Sequence, residues 1–176
     1  MIPLSSSAAI SSGLTWTKIP HSRNYELKLN GESVGTLLRP GWFETSFLAE
    51  TQYGRWTFRR GGCFGGGAQI IDTASKQPIA TLKCSWGTGG GTLTFAAGQT
   101  FELRQKGWWH PVWSVTGADG QPVLRFHARE KTVEVVSSAN SAALLDNRVA
   151  LLAMFTFYRV LQTEDDAAVA VLVAAS

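Results

Sequence analysis

Alternating polar and apolar residues recur between positions 25 and 137 and predict β-strands. In the segment 25–29, three apolar residues alternate with two charged ones, as in a strand with one buried face. Asn30-Gly31 follows, and a second strand-like run covers 32–38. Asn-Gly between two such runs predicts a hairpin, because both central positions of a type I′ turn need positive φ.

The same strand–turn–strand arrangement recurs four more times before a last predicted strand at 131–137. No helical periodicity precedes residue 140. About ten to twelve short strands joined by local hairpins form an antiparallel meander, and a sheet of that size must curl, close or split. The four further units span 45–60, 68–85, 92–105 and 109–128.

The pattern changes at residues 149–161, where helix-favouring residues replace the alternation. Asp146 and Asn147 precede this run and suit a helix N-terminus, and Arg159 suits its last turn. Nine large apolar residues of the run, placed at about 100° per residue, leave no gap wider than about 60°. A helix that is apolar on every side is buried on every side or lies in a membrane.

The length of this helix favours burial inside the protein. A membrane span needs about 20 apolar residues, whereas this run has 13. Such a helix is roughly 20 Å long, which is close to the height of a sheet with five- or six-residue strands. We therefore predict a mainly β fold, a closed antiparallel barrel of about 12 strands around a central helix at 147–162. The residues predicted to fill the barrel are Leu151, Leu152, Met154, Phe155, Phe157, Tyr158, Val160 and Leu161.

Two other architectures and one segment stay open at this level. A sandwich with the helix between its sheets would also cover the helix, and a tail-anchored membrane protein would place it in lipid. Residues 163–166 form a polar break, and the apolar residues 167–175 fit either further helix or a last strand. Residues 1–14 predict a flexible N-terminal arm, which leaves 15–176 as a single domain.

The composition limits the compartment and the partners. Of 176 residues, 16 are Lys or Arg and 13 are Asp or Glu, and this net charge of +3 is spread along the chain without a basic run. Nucleic-acid binding is therefore not expected. Cys63 and Cys84 provide neither a disulfide framework nor a zinc-binding motif, which predicts reduced thiols. We expect a cytoplasmic protein that is at most peripheral to a membrane.

Six basic residues on the predicted strands are the candidate ligand site. Because they alternate with apolar residues, they would face outward on neighbouring hairpins and together would form one patch for an anionic lipid head group. The alternative is charge scattered over the surface. The candidates are Arg55, Arg59, Arg60, Lys83, Arg104 and Lys106.

No residue pattern indicates catalysis, a metal site or a cofactor. Few carboxylates lie near the three histidines in the sequence, and no GxSxG nucleophile elbow is present. The glycine-rich segments 61–67 and 87–91 match no P-loop or dinucleotide-binding motif, so we interpret them as turns. Most tryptophans are expected to pack against the helix, although at a rim they would suit a ligand or a membrane interface. These tryptophans are Trp56, Trp86, Trp108, Trp109 and Trp113.

A meander barrel around a hydrophobic helix resembles the tubby C-terminal-like superfamily, which includes tubby proteins, phospholipid scramblases and plant LURP-one-related proteins. The turn at Asn30-Gly31, the glycine-rich segment 61–67 and the run 151–161 carry the resemblance, and bacterial LURP-one-like members are most similar. The resemblance implies a varied set of roles. Tubby domains bind phosphoinositide head groups through basic residues, scramblases are associated with lipid movement and calcium, and LURP-one-related proteins have no established activity. This chain lacks the cysteine-rich segment of scramblases and an EF-hand loop.

Three function hypotheses follow. The resemblance and the basic residues favour a non-enzymatic binding module for anionic phospholipid head groups. A structural or regulatory protein-interaction module without a small-molecule site is the alternative, and an uncharacterised enzyme is a further one. A basic concave patch would favour the first, a flat apolar patch the second, and a deep pocket with a perturbed histidine the third.

Overall fold

A computed structural model describes residues 13–39, 41, 46–61, 67–85, 90–136 and 147–175. Within these residues the chain forms twelve β-strands and one α-helix. The strands are β1 (Leu14–Lys18), β2 (Tyr25–Leu29), β3 (Glu32–Leu38), β4 (Phe47–Thr51), β5 (Gly54–Arg60), β6 (Ala68–Asp72), β7 (Pro78–Cys84), β8 (Gly91–Phe95), β9 (Thr100–Lys106), β10 (Val112–Gly117), β11 (Pro122–His127) and β12 (Thr132–Val135), and the helix is α1 (Asn147–Ala174).

Each strand pairs antiparallel with the next one along the chain, and β1 pairs with β12 to close the barrel. This confirms the predicted closed antiparallel barrel. The predicted hairpin 25–38 is β2–β3, and its turn residues Asn30 and Gly31 have φ angles of 52° and 91°, as a type I′ turn requires. Local turn chemistry thus accounts for most of the strand order.

The strand β1 is the part of the barrel that was not predicted individually. It pairs with β2 over its whole length and with β12 through Leu14 and Val133. Leu14 is the last residue of the predicted N-terminal arm, and its side chain is buried at the start of β1. Of that arm, residues 1–12 lie outside the described residues.

The barrel has two rims. Because neighbouring strands run in opposite directions, odd-numbered strands end at the rim where even-numbered strands begin. We call the rim where odd-numbered strands end and even-numbered strands begin the exit rim, and the opposite one the entry rim. Near its start, α1 places Ala150 beside Gln52 and Tyr53 at the entry rim. Asp166, much later in the helix, pairs with Arg60 at the exit rim. The helix therefore runs through the barrel from the entry rim to the exit rim.

Helix residues 151–162 are all buried, and aromatic rings from several strands surround them. The ring of Phe157 stacks on Trp16 of β1 at 4.5 Å and meets the edge of Tyr25 of β2 at 4.8 Å. On another side of the helix, Phe155 meets Phe58 of β5 at 5.4 Å. Every predicted core residue of the helix is buried, because the closed barrel surrounds this stretch of helix, which is apolar all round.

The predicted helix end at residue 162 is wrong, because α1 continues to Ala174. The polar residues 163–166 do not break the helix. Thr163 donates a side-chain hydrogen bond to the carbonyl of Arg159 at 2.9 Å, and Asp166 pairs with a strand. These polar residues lie where the helix leaves the apolar interior, which is why they look like a boundary in the sequence. The segment 167–174, left open between helix and strand, is helical.

Arg159 consequently lies in the middle of α1 and not in its last turn. Its guanidinium is buried and donates hydrogen bonds to Oε1 of Gln162 at 2.6 Å and to Sγ of Cys84 at 3.4 Å. Gln162 in turn donates to the hydroxyl of Tyr158 at 2.6 Å, and burial raises the pKa of that phenol. The polar groups near the exit end of the core are therefore linked to one another.

Candidate functional site

Beyond the exit rim, the last turns of α1 project from the barrel. We call residues 167–174 the helix tip. Each of them is Ala, Val or Leu, and every one is exposed. Val171 and Leu172 keep 69% and 71% of their surface accessible. The tip thus presents exposed apolar surface.

A second exposed apolar feature lies at the same rim. Trp108 and Trp109 occupy the connection between β9 and β10, and their exposed fractions are 89% and 83%. The packing against the helix that was expected for most of the tryptophans does not hold for these two, whereas Trp56 and Trp113 are buried as expected. The predicted position of Trp86 falls outside the described residues. The two tryptophans follow Gly107, whose φ of 85° ends the extended backbone of β9. Because they lie in the connection between two strands, the alternation of a strand does not turn either of them inward.

An acidic group joins the helix to the exit rim just before the tip. Asp165 accepts from Nη2 of Arg39 at 2.8 Å, where β3 ends. Asp166 accepts from both terminal nitrogens of Arg60, at 3.1 and 2.5 Å, where β5 ends. The hydrogen bond to Asp166 raises the pKa of the Arg60 guanidinium. We call Glu164, Asp165 and Asp166 the acidic collar.

The third member of the collar lies near Lys131 and Tyr25. Desolvation raises the pKa of the Glu164 carboxyl, while the charge of Lys131 opposes that shift and the charge of Asp165 adds to it. Nζ of Lys131 lies 5.4 Å from the centre of the Tyr25 ring. Burial, and to a lesser extent Glu164, raises the pKa of Tyr25. The collar is thus held among cationic and aromatic groups of the rim.

The structure brings together part of the predicted basic patch. Arg59 and Arg60 at the end of β5, Lys83 near the end of β7 and Lys106 at the end of β9 all lie at the exit rim. Lys83 and Lys106 are exposed, and neither makes a salt bridge with a carboxylate of the described residues. Arg59 donates to Oε1 of Gln69 at 3.1 Å.

The two remaining candidates are differently placed. Arg55 lies near the start of β5 at the entry rim, where it pairs with Glu50 at 2.8 Å. Arg104 lies two residues before the end of β9 and pairs with Glu102 at 2.8 Å on the outer wall. Arg55 therefore does not belong to an exit-rim site.

The rim gathers basic residues that are far apart in the sequence. We count as the exit rim its described connections, the two strand residues on either side of each connection, and the acidic collar. This set has nine basic and five acidic residues, a net charge of +4. The described residues as a whole have 16 basic and 11 acidic residues, a net charge of +5, so those outside the rim have only +1. The basic residues are Lys18, Arg23, Arg39, Arg59, Arg60, Lys83, Lys106, Arg129 and Lys131, and the acidic ones are Glu26, Glu130, Glu164, Asp165 and Asp166.

A shallow depression also lies at this rim. It has a volume of about 480 Å³ and is lined by the connection from Lys18 to Arg23 between β1 and β2. The cationic side chains of Lys18 and Arg23 and the backbone amides of this connection make the depression suitable for an anionic group. Among the described residues, no cluster of His, Cys, Asp or Glu has the arrangement to hold a metal ion.

Two features of the exit rim were not identified as a site from the sequence: the helix tip, and the rim residues Arg39 and Lys131. The exposed tryptophan pair matches the rim position that the sequence left open as an alternative. No helix of the described residues contains a stretch long and apolar enough to span a bilayer. No protein-family model, curated protein or solved structure matches the chain.

Proposed function

We propose that this protein is a non-enzymatic module that binds the surface of membranes containing anionic phospholipids through its exit rim. One observation carries the proposal: the rim with a net charge of +4 also holds the exposed pair Trp108 and Trp109. Each Lys or Arg near an anionic lipid surface contributes about 1 kcal/mol of attraction. Tryptophan favours the head-group level of a bilayer, where its ring is apolar and its N–H stays wet.

The charge around the tryptophans favours lipid over a protein partner. The centre of a protein–protein interface is depleted of charged residues, lysine above all. Here lysines and arginines surround the apolar features, as an anionic surface requires. The tubby-like resemblance points to the same ligand class, and we propose membership of that superfamily as a bacterial-type, LURP-one-like protein. The closed barrel around α1 supports that membership.

Co-sedimentation with vesicles tests the proposed function. We expect binding to phosphatidylcholine vesicles that contain phosphatidylserine, no binding to pure phosphatidylcholine at the same lipid concentration, and weaker binding at high salt. Lys83→Glu combined with Lys106→Glu should weaken binding about tenfold or more, because two attractions become repulsions. Arg55→Glu with Lys76→Glu changes the net charge equally at the entry rim and is the matched control.

The two double variants separate a directed surface from general electrostatics. Equal losses in both would show that only total charge matters and would contradict a site at the exit rim. An absence of binding to anionic vesicles at low salt would refute the proposal, and a protein-interaction module would then be the better account of the exposed tryptophans.

A further inference from the structure

We propose that the helix tip enters the hydrocarbon of a single leaflet, so that α1 anchors the barrel with its axis along the membrane normal. This inference rests on the proposed function and deepens it. It commits to a phospholipid bilayer as the environment of the exposed apolar tip.

The distribution of apolar surface around the tip favours lipid over a groove in a partner. At about 100° per residue, Val169, Val171, Leu172 and Val173 fall near 0°, 200°, 300° and 40°. All four are more than half exposed. A protein groove or a second copy of the chain covers one side of a helix, whereas acyl chains surround it. An amphipathic helix lies flat in the interface, but this tip has no polar side and suits entry along its axis.

The length of the tip fits one leaflet. Its eight residues extend about 12 Å at 1.5 Å per residue. The hydrocarbon core of a bilayer is about 30 Å thick, so one leaflet supplies about 15 Å. The described residues of the tip are therefore long enough to cross most of the hydrocarbon of the leaflet that they enter.

The acidic collar marks the depth at which entry stops. Asp165 and Asp166 directly precede the tip, and they are paired with Arg39 and Arg60. These pairs neutralise two negative charges that would otherwise repel an anionic surface. Trp108 and Trp109 lie at the same rim. When the tip is inserted, the collar and the tryptophans both come to lie at the head groups.

Depth measurements with a fluorescent label test the insertion. Leu172→Cys places an environment-sensitive fluorophore on the tip, and Tyr53→Cys places it on an exposed position of the entry rim as the matched control. The unsubstituted chain, treated identically, corrects for labelling of Cys63 and Cys84. With phosphatidylserine-containing vesicles, the label at 172 should shift to shorter wavelength and be quenched by acyl-chain nitroxides, while the label at 53 stays in water.

A second variant tests whether insertion contributes to binding. Val171→Asp combined with Leu172→Asp should weaken vesicle binding about tenfold or more, since charged residues are strongly disfavoured in hydrocarbon. The thermal unfolding midpoint should not change, because both side chains lie outside the core. Tyr53→Asp at the entry rim should leave vesicle binding unchanged.

The outcomes separate this inference from the function on which it rests. Insertion would be overturned, and the proposed function retained, by two results: the protein binds vesicles while the label at 172 stays in water, and the double Asp variant binds as well as the unsubstituted protein. An absence of binding by the unsubstituted chain would overturn both. A label at 172 that becomes shielded without lipid as protein concentration rises would identify a second copy as the occupant and overturn the anchor.

Discussion

The two halves of α1 are both apolar in sequence, yet one is the core of the protein and the other is exposed. Residues 151–162 are buried, whereas 166–175 are exposed. The barrel strands have four to seven residues and extend roughly 13–23 Å at about 3.3 Å per residue. The helix has 28 residues and is about 42 Å long. The sheet is too short to cover it, so a length mismatch divides one continuous helix into a core and a projecting surface.

The halves differ in side-chain volume more than in polarity. The buried half includes Phe155, Phe157 and Tyr158, whose rings contact aromatic residues of the wall. The tip contains only Ala, Val and Leu. A barrel interior has to be filled to the density of a protein core, whereas lipid conforms to any apolar shape. The comparison indicates that the large rings serve packing within the chain, whereas the small residues of the tip suit the fluid environment that we propose for it.

The largest expected effect separates the halves by stability. Phe157→Ala should lower the free energy of unfolding by about 3–5 kcal/mol, because the ring contacts Trp16, Tyr25 and Phe126 and leaves a cavity. Leu172→Ala should change it by less than about 0.5 kcal/mol. Denaturant unfolding of both variants measures the difference. Comparable losses would mean that the tip packs against the protein.

An intermediate effect concerns the junction between the halves. Asp165→Asn with Asp166→Asn breaks one exposed ion pair and one with the half-buried Arg39, and should lower the free energy of unfolding by only about 1–2 kcal/mol. Binding to anionic vesicles should strengthen, since Arg39 and Arg60 lose their competing partners. Glu50→Gln, which breaks the pair with Arg55 at the entry rim, is the control and should not alter vesicle binding. Weaker binding by the collar variant would contradict the neutralising role of the pairs.

The smallest effect is a pH dependence at Glu164. Its pKa is raised above the ordinary value of 4.5, so the folded state holds the proton more tightly than the unfolded state. Its contribution to stability is fully present below pH 4.5 and is lost as pH rises through the raised pKa. Relative to Glu164→Gln, the unsubstituted protein should therefore gain stability as pH falls from neutrality toward that value. Urea unfolding of both at several pH values checks this, and parallel pH curves would contradict it.

The fold was largely predictable because its determinants are local. Asn30-Gly31 and the alternating strands on either side encode a hairpin within a few residues, and a long meander is a series of such hairpins. The strand β1 was missed because its connection to β2 has no hairpin signal and because its role is to pair with β12. Closure of the barrel pairs the first and last strands of the meander. No local sequence pattern predicts that pairing, because the two strands are far apart in the sequence.

The site was less predictable because its parts are remote in the sequence. Arg39, Lys83 and Lys131 are on different hairpins and become neighbours of one rim only when the barrel closes. Arg55 and Arg59, four positions apart, lie at opposite ends of β5. Charge that is dispersed along the sequence is therefore concentrated at one end of the molecule.

The sequence by itself determined the strands, the turns and a helix that must be covered on all sides, because alternation, turn chemistry and apolar periodicity act between near neighbours. Only the tertiary structure decided where that covering ends. The height of the closed sheet buries the helix up to Gln162. The direction of the helix through the barrel brings its tip to the rim that also holds Trp108, Trp109 and a net charge of +4. Burial and surface charge depend on the geometry of the whole barrel, and no single segment contains that information.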